Sequence, residues 1–366
     1  MNNAYSIPWA RPVLGGNEER YVVEALRSSW ISGGAFVDRL ETLASQILKV
    51  SYPLTCSNGT SALHLAFLGL GLKADDEVIL PGFGFLAAAN IALQIGLQPI
   101  FAEVDPDTWC VTAESIEKVI TKKTRCFVVT HTYATMCDME PIMAMARSYG
   151  IDVVEDCAES LGSELNGQPC GTFGSIGTFS FQATKTITTG EGGMVTTTLP
   201  DLYEKMSLYR NHGMNKIRYW HEVPGNNFRL TNLQAAVGCA QFEKLEEFSI
   251  QRKEIWSFYN DYFQNIVGLK MQQVNAGIVS LPWVVGVKLD PEHWKCSRDD
   301  VMTRMGQVGV ETRPGFYPPS KMKMYNCGPL PLSEALAESV ITLPTFPGLT
   351  LSELEFICQS LVGTRG

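Results

Sequence analysis

The sequence has no C-x-x-C pair, no long basic run and no apolar run of membrane-spanning length. Its ten cysteines are spread along 366 residues, and several lie inside apolar stretches such as "RCFVV" and "VGCAQF". This distribution favours buried free thiols in a reducing compartment over a disulfide framework or zinc ligands. We therefore predict no metal site.

The charge and the hydropathy of the chain exclude two classes of partner. The net charge is -9, from 38 acidic and 29 basic residues, which argues against nucleic acid or an anionic membrane as the main partner. No apolar run reaches the roughly 18 residues of a transmembrane helix, and "MNNAYSIPWARP" lacks the regions of a secretion signal. We expect a cytoplasmic protein.

Short apolar runs alternate with helix-length segments between about residues 50 and 200. Strand candidates include "EVIL", "RCFVVTH", "DVVED" and "GTFSF", while "TSALHLAFLGL" and "PIMAMARSYG" have apolar residues at helical spacing. This alternation predicts βαβ units around a mostly parallel sheet. The pattern changes near residue 245, so we predict a large domain over 1–247, including the N-terminal segment, and a smaller C-terminal α+β domain over 248–366.

Ligands of open α/β sheets bind beyond the carboxyl ends of the strands, where several polar residues of this chain fall. In "SNGTSALHLA", Gly59 and Thr60 open a helix whose free N–H groups could hold a phosphate, although ordinary N-capping explains the motif equally well. Asp156 ends a strand and could hold a protonated ring nitrogen, or act as a cap or ion-pair partner. Ser180 could donate to a phosphate or simply bond to the main chain.

A single lysine follows the apolar run in "FSFQATKTITTGEGG". An amine at a sheet edge, with its pKa lowered by desolvation, can form a Schiff base with an aldehyde, although surface lysines are common. Phe85 in "PGFGFLAAAN" could stack on a flat ring or belong to the core. Together, Lys185, Phe85, Asp156 and the phosphate-binding helix describe a site for pyridoxal 5'-phosphate.

The chain resembles the nucleotide-sugar aminotransferases of the DegT/DnrJ/StrS family over nearly its whole length. The resemblance rests on "RPVLGGNEERYVVEALRSSWISGG", "SNGTSALHLA", "VVEDCAES", "FSFQATKTITTGEGGMV", "LYRNHGM", "GNNFRLTNLQAAVG" and "GVETRPGFYP", in this order. It implies the fold of the fold-type I aminotransferases, with a seven-stranded, mostly parallel sheet in a large domain and a smaller C-terminal α+β domain. It also implies pyridoxal phosphate and pyridoxamine phosphate as the two forms of the cofactor.

The resemblance assigns roles to residues that match the family motifs. Lys185 matches the lysine that bonds to the cofactor, Asp156 the partner of the ring nitrogen, and Phe85 the stacked aromatic ring. Gly59, Thr60 and Ser180 match phosphate ligands. Asn227 matches an asparagine that reaches the partner subunit's phosphate, which implies a homodimer with sites at its interface. Glu159 stands where the family has Gln or Glu near the phenolic oxygen of the cofactor.

Several further positions are candidates for contacts with the substrate. Ala134 stands where relatives usually have Gly, and the histidine that often follows "YP" is missing from "YPPSKMKMY", so these departures bear on substrate identity. His131 and Tyr133 either contact substrate or are satisfied polar residues at a strand end. Arg313 is a candidate for a substrate phosphate or the glutamate carboxylate. The remaining candidates are Trp30, Ser32 and Arg229, the last of which could instead form a structural ion pair.

The resemblance implies transamination of a nucleotide-linked 4-keto-6-deoxy sugar by L-glutamate. The nucleotide would be dTDP, GDP or UDP, and the 4-amino-4,6-dideoxy product would serve a surface polysaccharide such as the O-antigen of lipopolysaccharide. Sugar dehydratases that resemble this pattern have His in place of the lysine, so Lys185 argues for amine transfer. A carbon-3 aminotransferase, a dehydratase and a non-catalytic binding or regulatory protein on the same fold remain alternatives, whereas a nicotinamide enzyme would need G-x-G-x-x-G.

Overall fold

The secondary structure comes from a computed structural model, which describes residues 6–365. The strands are β1 (Tyr52–Cys56), β2 (Glu77–Pro81), β3 (Gln98–Ala102), β4 (Thr124–Thr130), β5 (Asp152–Asp156), β6 (Glu164–Leu165), β7 (Gln168–Pro169), β8 (Ile176–Ser180), β9 (Gly193–Thr197), β10 (Leu269–Met271), β11 (Ile278–Val279), β12 (Val285–Leu289), β13 (Arg313–Pro314) and β14 (Val340–Leu343). The α-helices are α1 (Glu18–Arg27), α2 (Ala35–Leu48), α3 (Gly59–Leu70), α4 (Ala87–Gln94), α5 (Ala113–Glu117), α6 (Met139–Tyr149), α7 (Pro200–Arg210), α8 (Asn232–Glu243), α9 (Leu245–Phe263), α10 (Arg298–Gln307), α11 (Pro331–Ser339) and α12 (Leu351–Gly363). Short 3-10 turns span Thr132–Ala134, Pro319–Lys321 and Lys323–Tyr325.

The central sheet has seven strands in the order β1-β9-β8-β5-β4-β2-β3. Strands β3, β2, β4, β5 and β8 run parallel, and β9 is antiparallel to both of its neighbours. Both faces of the sheet are covered, so most residues of its strands are buried. The predicted α/β fold with a mostly parallel seven-stranded sheet is confirmed.

Alternate residues of the strands pack into two cores, one on each face of the sheet. On one face, Val78 and Val154 are fully buried in the core that contains Phe67 of α3. On the other face, Ile79 and Val153 belong to the core that contains Leu40 of α2 and residues of α6 and α8. Because both faces are covered, a ligand can reach the sheet only beyond the ends of its strands.

The open edge is the one at which β1, β2, β4, β5 and β8 all end. Strand β1 is antiparallel to β9, and β9 is antiparallel to β8, so β1 and β8 run in the same direction. The carboxyl ends of these strands and the segments that follow them therefore meet at one edge, which includes residues 57–60, Phe85, Tyr133 and Asp156. In open α/β sheets, ligands bind at this edge.

A second, antiparallel sheet follows in the C-terminal part of the chain, in the order β10-β12-β14-β13. Helices α9, α10 and α12 pack on it around Tyr259 and Ile357. Ile7, near the N-terminus, pairs with Val310 beside this sheet. The domain boundary that we predict between 247 and 248 falls inside α9, and the division into 1–247 and 248–366 stays a prediction.

All ten cysteines fall among the residues that the structure describes, and all are free thiols. Eight of them are buried, in agreement with the apolar stretches that surround them in the sequence. Between residues 6 and 365, none of the helices combines the length and the apolar character that crossing a membrane requires.

Candidate active site

A cavity of about 490 Å³ lies at the open edge of the central sheet. Nine of the residues predicted from the sequence line it, namely Gly59, Thr60, Phe85, Tyr133, Asp156, Glu159, Ser180, Lys185 and Arg313. A larger cavity of about 920 Å³ lies beside β10 and α10, but its lining contains none of the predicted residues. The smaller cavity is the candidate active site because it brings together the titratable groups at the strand ends.

The N-terminus of α3 forms one end of the cavity. Asn58 caps the helix, and its Oδ1 accepts the N–H of Ser61 at 2.7 Å. The main-chain N–H groups of Gly59 and Thr60 have no acceptor among the described residues, and both residues line the cavity. Two free N–H groups at the positive end of a helix can hold a phosphate.

The end of α3 lies very close to the end of β8. A Cβ atom on Gly59 would lie 2.8 Å from Cβ of Ser180, so the residue at this position has to be glycine for the helix to approach so closely. The approach brings the Ser180 hydroxyl beside the free N–H groups of α3. Together these groups form the polar cradle that a phosphate requires.

Asp156 ends β5 with its side chain buried at the cavity. Its Oδ1 accepts the N–H of Ala158 at 3.1 Å, and this is the one hydrogen bond that the described residues make to the carboxylate. Burial raises the pKa of Asp156, and the Ala158 N–H and the charge of Lys185 partly oppose this rise. The remaining acceptor, Oδ2, is available to a protonated nitrogen of a ligand.

Lys185 follows β8 and lies half-buried in the cavity wall. Its Nζ forms no hydrogen bond or ion pair within residues 6–365. Burial lowers the pKa of Lys185, while the charges of Glu159 and Asp156 oppose this change. A neutral amine is nucleophilic toward an aldehyde, so this environment suits a lysine that bonds to a carbonyl compound.

Glu159 is buried between the loop after β5 and the loop after β4. Its Oε2 accepts the N–H of Tyr133 at 2.9 Å. Burial raises the pKa of Glu159 to about 7, with the charge of Lys185 acting in the opposite direction. The carboxyl group can therefore gain or lose a proton near neutral pH.

Aromatic side chains make up most of the apolar wall of the cavity. Phe85 is 66% exposed, which is unusual for a phenylalanine and leaves one ring face open to the cavity. Tyr133 is buried and stacks on Phe316 with a centroid distance of 5.3 Å. Trp9 and Trp283 meet edge to face at 5.6 Å. The wall can hold a flat heteroaromatic ring against Phe85.

Arg313 provides a cation at the mouth of the cavity. Its guanidinium lies 4.2 Å from the centroid of the Trp9 ring and 3.3 Å from Oε1 of Glu311. About half of its side chain is exposed. These contacts hold the guanidinium in place while leaving part of it free for an anionic group of a ligand.

His131 is fully buried and does not line the cavity. Its Nδ1 accepts the main-chain N–H of Cys137 at 3.2 Å, so its Nε2 carries the proton and donates to Glu155 at 3.1 Å. Glu155 and Cys157 have ligand atoms within 4.8 Å of the imidazole, but the Glu155 carboxylate already accepts three main-chain N–H groups, from Gly171, Phe173 and Gly174. The geometry supports the second sequence interpretation of His131, a satisfied polar residue at a strand end.

Four predicted residues lie on the surface, away from the lining of this cavity: Trp30, Ser32, Asn227 and Arg229. The main-chain carbonyl of Trp30 accepts the Asn232 side-chain amide at 2.6 Å. Arg229 donates to Oδ1 of Asn227 at 3.0 Å and to Asn211. Within one chain, these four residues therefore do not line the cavity in which a cofactor or substrate would bind.

Several residues of the lining were not predicted from the sequence. They include Trp9, Gln182, Trp283 and Phe316. Trp9 and Trp283 come from segments more than 90 residues from Lys185 along the chain, so no local motif signals their approach. In the sequence, the tryptophan of "IPWARP" and the tryptophan of "PWVVGVKL" are recognisable only as aromatic residues next to proline.

The chain matches known proteins over nearly its whole length. The profile of the DegT/DnrJ/EryC1/StrS aminotransferase family matches residues 12–362. A GDP-perosamine synthase of Escherichia coli O157:H7 is 39% identical, over 97% of each chain, and one of Vibrio cholerae is 37% identical, over 97% of this chain and 98% of the relative. The crystal structure of an aminotransferase, TlmJ from Streptoalloteichus hindustanus, superimposes with a TM-score of 0.93 at 30% identity and covers 98% of both chains.

Free N–H groups, a carboxylate with an open acceptor, an unpaired amine and an exposed aromatic face together fit pyridoxal phosphate. The comparisons agree with this geometry, since the family consists of aminotransferases that depend on this cofactor. The chain therefore belongs to the DegT/DnrJ/EryC1/StrS aminotransferase family and is a sugar aminotransferase dependent on pyridoxal phosphate.

Proposed function

We propose that the protein transfers the amino group of L-glutamate to carbon 4 of a GDP-linked 4-keto-6-deoxy sugar. The product would be a 4-amino-4,6-dideoxy sugar nucleotide for a surface polysaccharide. The names of the two relatives, GDP-perosamine synthase, support both GDP and carbon 4, because perosamine is a 4-amino-4,6-dideoxy sugar. The observation that carries the proposal is the unpaired Lys185 amine in a cavity that also contains Asp156 and the free N–H groups of α3.

The residues of the cavity would hold the cofactor at three points. The N–H groups of Gly59 and Thr60, with the hydroxyl of Ser180, would bind its phosphate. Oδ2 of Asp156 would accept a hydrogen bond from the protonated ring nitrogen of the cofactor. The charge of the carboxylate would keep that nitrogen protonated. The exposed face of Phe85 would stack on the ring.

Pyridoxal phosphate supplies an electron sink and carries the amino group between donor and acceptor. Lys185 would hold the cofactor through its amine and, once released by glutamate, would move a proton at Nζ to and from the reacting carbon. Glu159 would lie near the phenolic oxygen of the cofactor, where its raised pKa lets it carry a proton at neutral pH. The apolar wall would exclude water from these transfers.

The substrate would enter past Arg313 and Tyr133, both of which line the cavity. The guanidinium of Arg313 suits the carboxylate of glutamate or a phosphate of the nucleotide sugar. Asn227 and Arg229 are exposed outside the cavity of their own chain, so we place them at the cavity of the partner subunit in a homodimer. Trp30 and Ser32 would lie on the same shared surface.

The first test is the visible absorbance spectrum of the purified protein before and after addition of L-glutamate. We expect a yellow band from the lysine-bound cofactor that glutamate bleaches, and no such band in Lys185→Ala. The matched control is Lys253→Ala, on helix α9 outside the cavity lining. A wild-type protein that shows no band, even after pyridoxal phosphate is added, would refute the proposal.

The second test uses GDP-, dTDP- and UDP-linked 4-keto-6-deoxy sugars with glutamate, with NMR to identify the aminated carbon. We expect turnover of the GDP sugar and nitrogen at carbon 4. Turnover of a 3-keto sugar instead, or loss of water without amination, would favour the carbon-3 aminotransferase or the dehydratase. Capture of the cofactor without turnover of any sugar would favour the binding or regulatory protein.

The homodimer has its own test, which mixes two inactive variants. In a mixed dimer of Lys185→Ala and Asn227→Ala, one cavity would contain an intact lysine from one chain and an intact asparagine from the other. We therefore expect mixing to restore activity, whereas mixing Lys185→Ala with Asp156→Ala would not, because these two residues line the same cavity of one chain. Restoration in neither mixture would show that Asn227 does not act across an interface.

A further inference from the structure

The Lys185 amine rests on the face of an indole ring. Its Nζ lies 3.4 Å from the ring centroid of Trp283, well within the distance of about 6 Å for a cation–π contact. Trp283 is 6% exposed, so the contact is shielded from water. A shielded contact of this kind is stronger than an exposed one because the cation has lost its competing hydration.

The indole ring is fixed by contacts on two sides. Its Nε1–H donates to the main-chain carbonyl of Thr184 at 2.7 Å, so the ring is tied to the residue directly before Lys185. The ring of Trp9 packs against it at 5.6 Å with an interplanar angle of 89°. The face that meets Nζ therefore keeps its position relative to the lysine backbone.

The carboxyl groups around Nζ change their charge with pH, whereas the indole ring does not. Burial disfavours the ammonium form of Lys185, and the carboxyl groups that act on it come from Asp156 and Glu159. Burial also raises the pKa of both of these carboxyl groups, which weakens their support for the ammonium form. The indole quadrupole favours a cation without carrying a proton of its own, so its contribution does not vary with pH.

We propose that Trp283 is a positioning residue: it holds Nζ of Lys185 against the indole face whenever the lysine is not bonded to the cofactor, and it stabilises the ammonium form each time Nζ takes up a proton. This inference rests on the proposed function. When glutamate displaces Lys185, the free amine would return to the indole face as a neutral base that can accept a proton from the reacting carbon. The indole face would stabilise the ammonium form produced by that transfer and hold the proton at a fixed point of the cavity wall until Nζ gives it up.

The test measures how fast the cofactor-free protein captures pyridoxal phosphate as the pH is varied. The capture rate rises as Nζ loses its proton, so stopped-flow absorbance gives the apparent pKa of Lys185 without any turnover. We expect Trp283→Leu to lower this pKa by about 0.5 to 1.5 units and Trp283→Phe, which keeps a ring face, to lower it by less. Trp294→Phe is the control, because Trp294 is also buried but lies outside the active-site lining.

An unchanged pKa in Trp283→Leu would overturn the inference. A purely structural role of Trp283 would change the stability of the protein or its affinity for the cofactor, but would leave this pKa where it is in the wild type. If wild-type protein captures no cofactor at any pH, both the proposed function and this inference fail. Capture with an unchanged pKa in the variant overturns the inference alone.

A measurement on the wild-type protein covers the case in which Trp283→Leu does not fold. The lysines of the cofactor-free protein are labelled with ¹³C methyl groups by reductive methylation, and the Lys185 signal is the one missing from Lys185→Arg. We expect the indole ring current to shift this signal upfield of the other lysine signals. A Lys185 signal at the position of the surface lysines would contradict the contact.

Discussion

Glu159 makes the stability of the cofactor-free protein depend on pH in a direction opposite to that of most carboxylates. Its ordinary pKa is 4.5, and burial raises the pKa in the folded state to about 7. Between these two values the unfolded chain has released its proton while the folded chain keeps it. The folded state therefore binds more protons, and stability falls as the pH rises through this window.

The size of the effect follows from the shift in the pKa. A rise from 4.5 to about 7 corresponds to a loss of about 3 kcal/mol once the pH exceeds both values. About 2 kcal/mol of this loss falls between roughly pH 5.5 and 8, where the protein can be compared under mild conditions. Glu159→Gln removes the titrating group but keeps an acceptor for the Tyr133 N–H.

The assay is urea unfolding of cofactor-free wild type and Glu159→Gln at several pH values. We expect the free energy of unfolding of the variant, relative to wild type, to grow by about 2 kcal/mol between roughly pH 5.5 and 8. Glu355→Gln, at an exposed position on α12, is the control and should show no such trend. A difference between Glu159→Gln and wild type that stays constant with pH would refute the reasoning.

Three further substitutions test the packing of β9 against α3 and two residues of the cavity lining. Gly193→Ala would place Cβ 2.4 Å from the main-chain carbonyl of Asn58, so we expect a loss of about 1 to 3 kcal/mol in urea unfolding. The control, Gly33→Ala, meets nothing within 4 Å and should be nearly neutral. Asp156→Asn removes the charge that holds the ring nitrogen, and we expect kcat to fall by about 100-fold or more with the cofactor still bound. Phe85→Leu removes the stacking face, and we expect cofactor affinity to fall by about 3- to 10-fold in a spectroscopic titration.

Each of these expectations has an outcome that contradicts it. If Gly193→Ala were as stable as Gly33→Ala, β9 and α3 would move apart without a loss in the free energy of unfolding. An undiminished kcat in Asp156→Asn would remove this carboxylate from the chemistry. Wild-type affinity in Phe85→Leu would show that the ring does not stack on the cofactor.

The architecture of the central sheet could be predicted from the sequence because its signals are local. Runs such as "EVIL" and "DVVED" have strand length, and segments with apolar residues at helical spacing lie between the strands. The rule that ligands bind at the carboxyl ends of such strands then selects Asp156 and Lys185 without any knowledge of their contacts. The structure places both in one cavity, and their roles stay proposals until the variants are measured.

The backbone conformation at the site could not be predicted from local sequence signals in the same way. Tyr133 and Ala134 have φ values of 52° and 72°, in the left-handed region that favours glycine. This conformation gives a physical reason for the glycine that relatives usually have where this chain has Ala134. Nothing in "HTYATMCDME" shows that a tyrosine would also adopt it, because the turn depends on the hydrogen bond from the Tyr133 N–H to Glu159.

The aromatic wall was missed because it depends on contacts between distant parts of the chain. Trp283 is tied to Thr184 across 99 residues, and Trp9 donates to Thr342 across 333 residues. These contacts bring the N-terminal segment and the second sheet to the cavity at the edge of the first sheet. The lysine and the carboxylates are thus supplied by the central sheet, whereas the groups that surround the amine come from elsewhere. It follows that substitutions in the C-terminal part can change the chemistry of Lys185 without altering any residue of the central sheet.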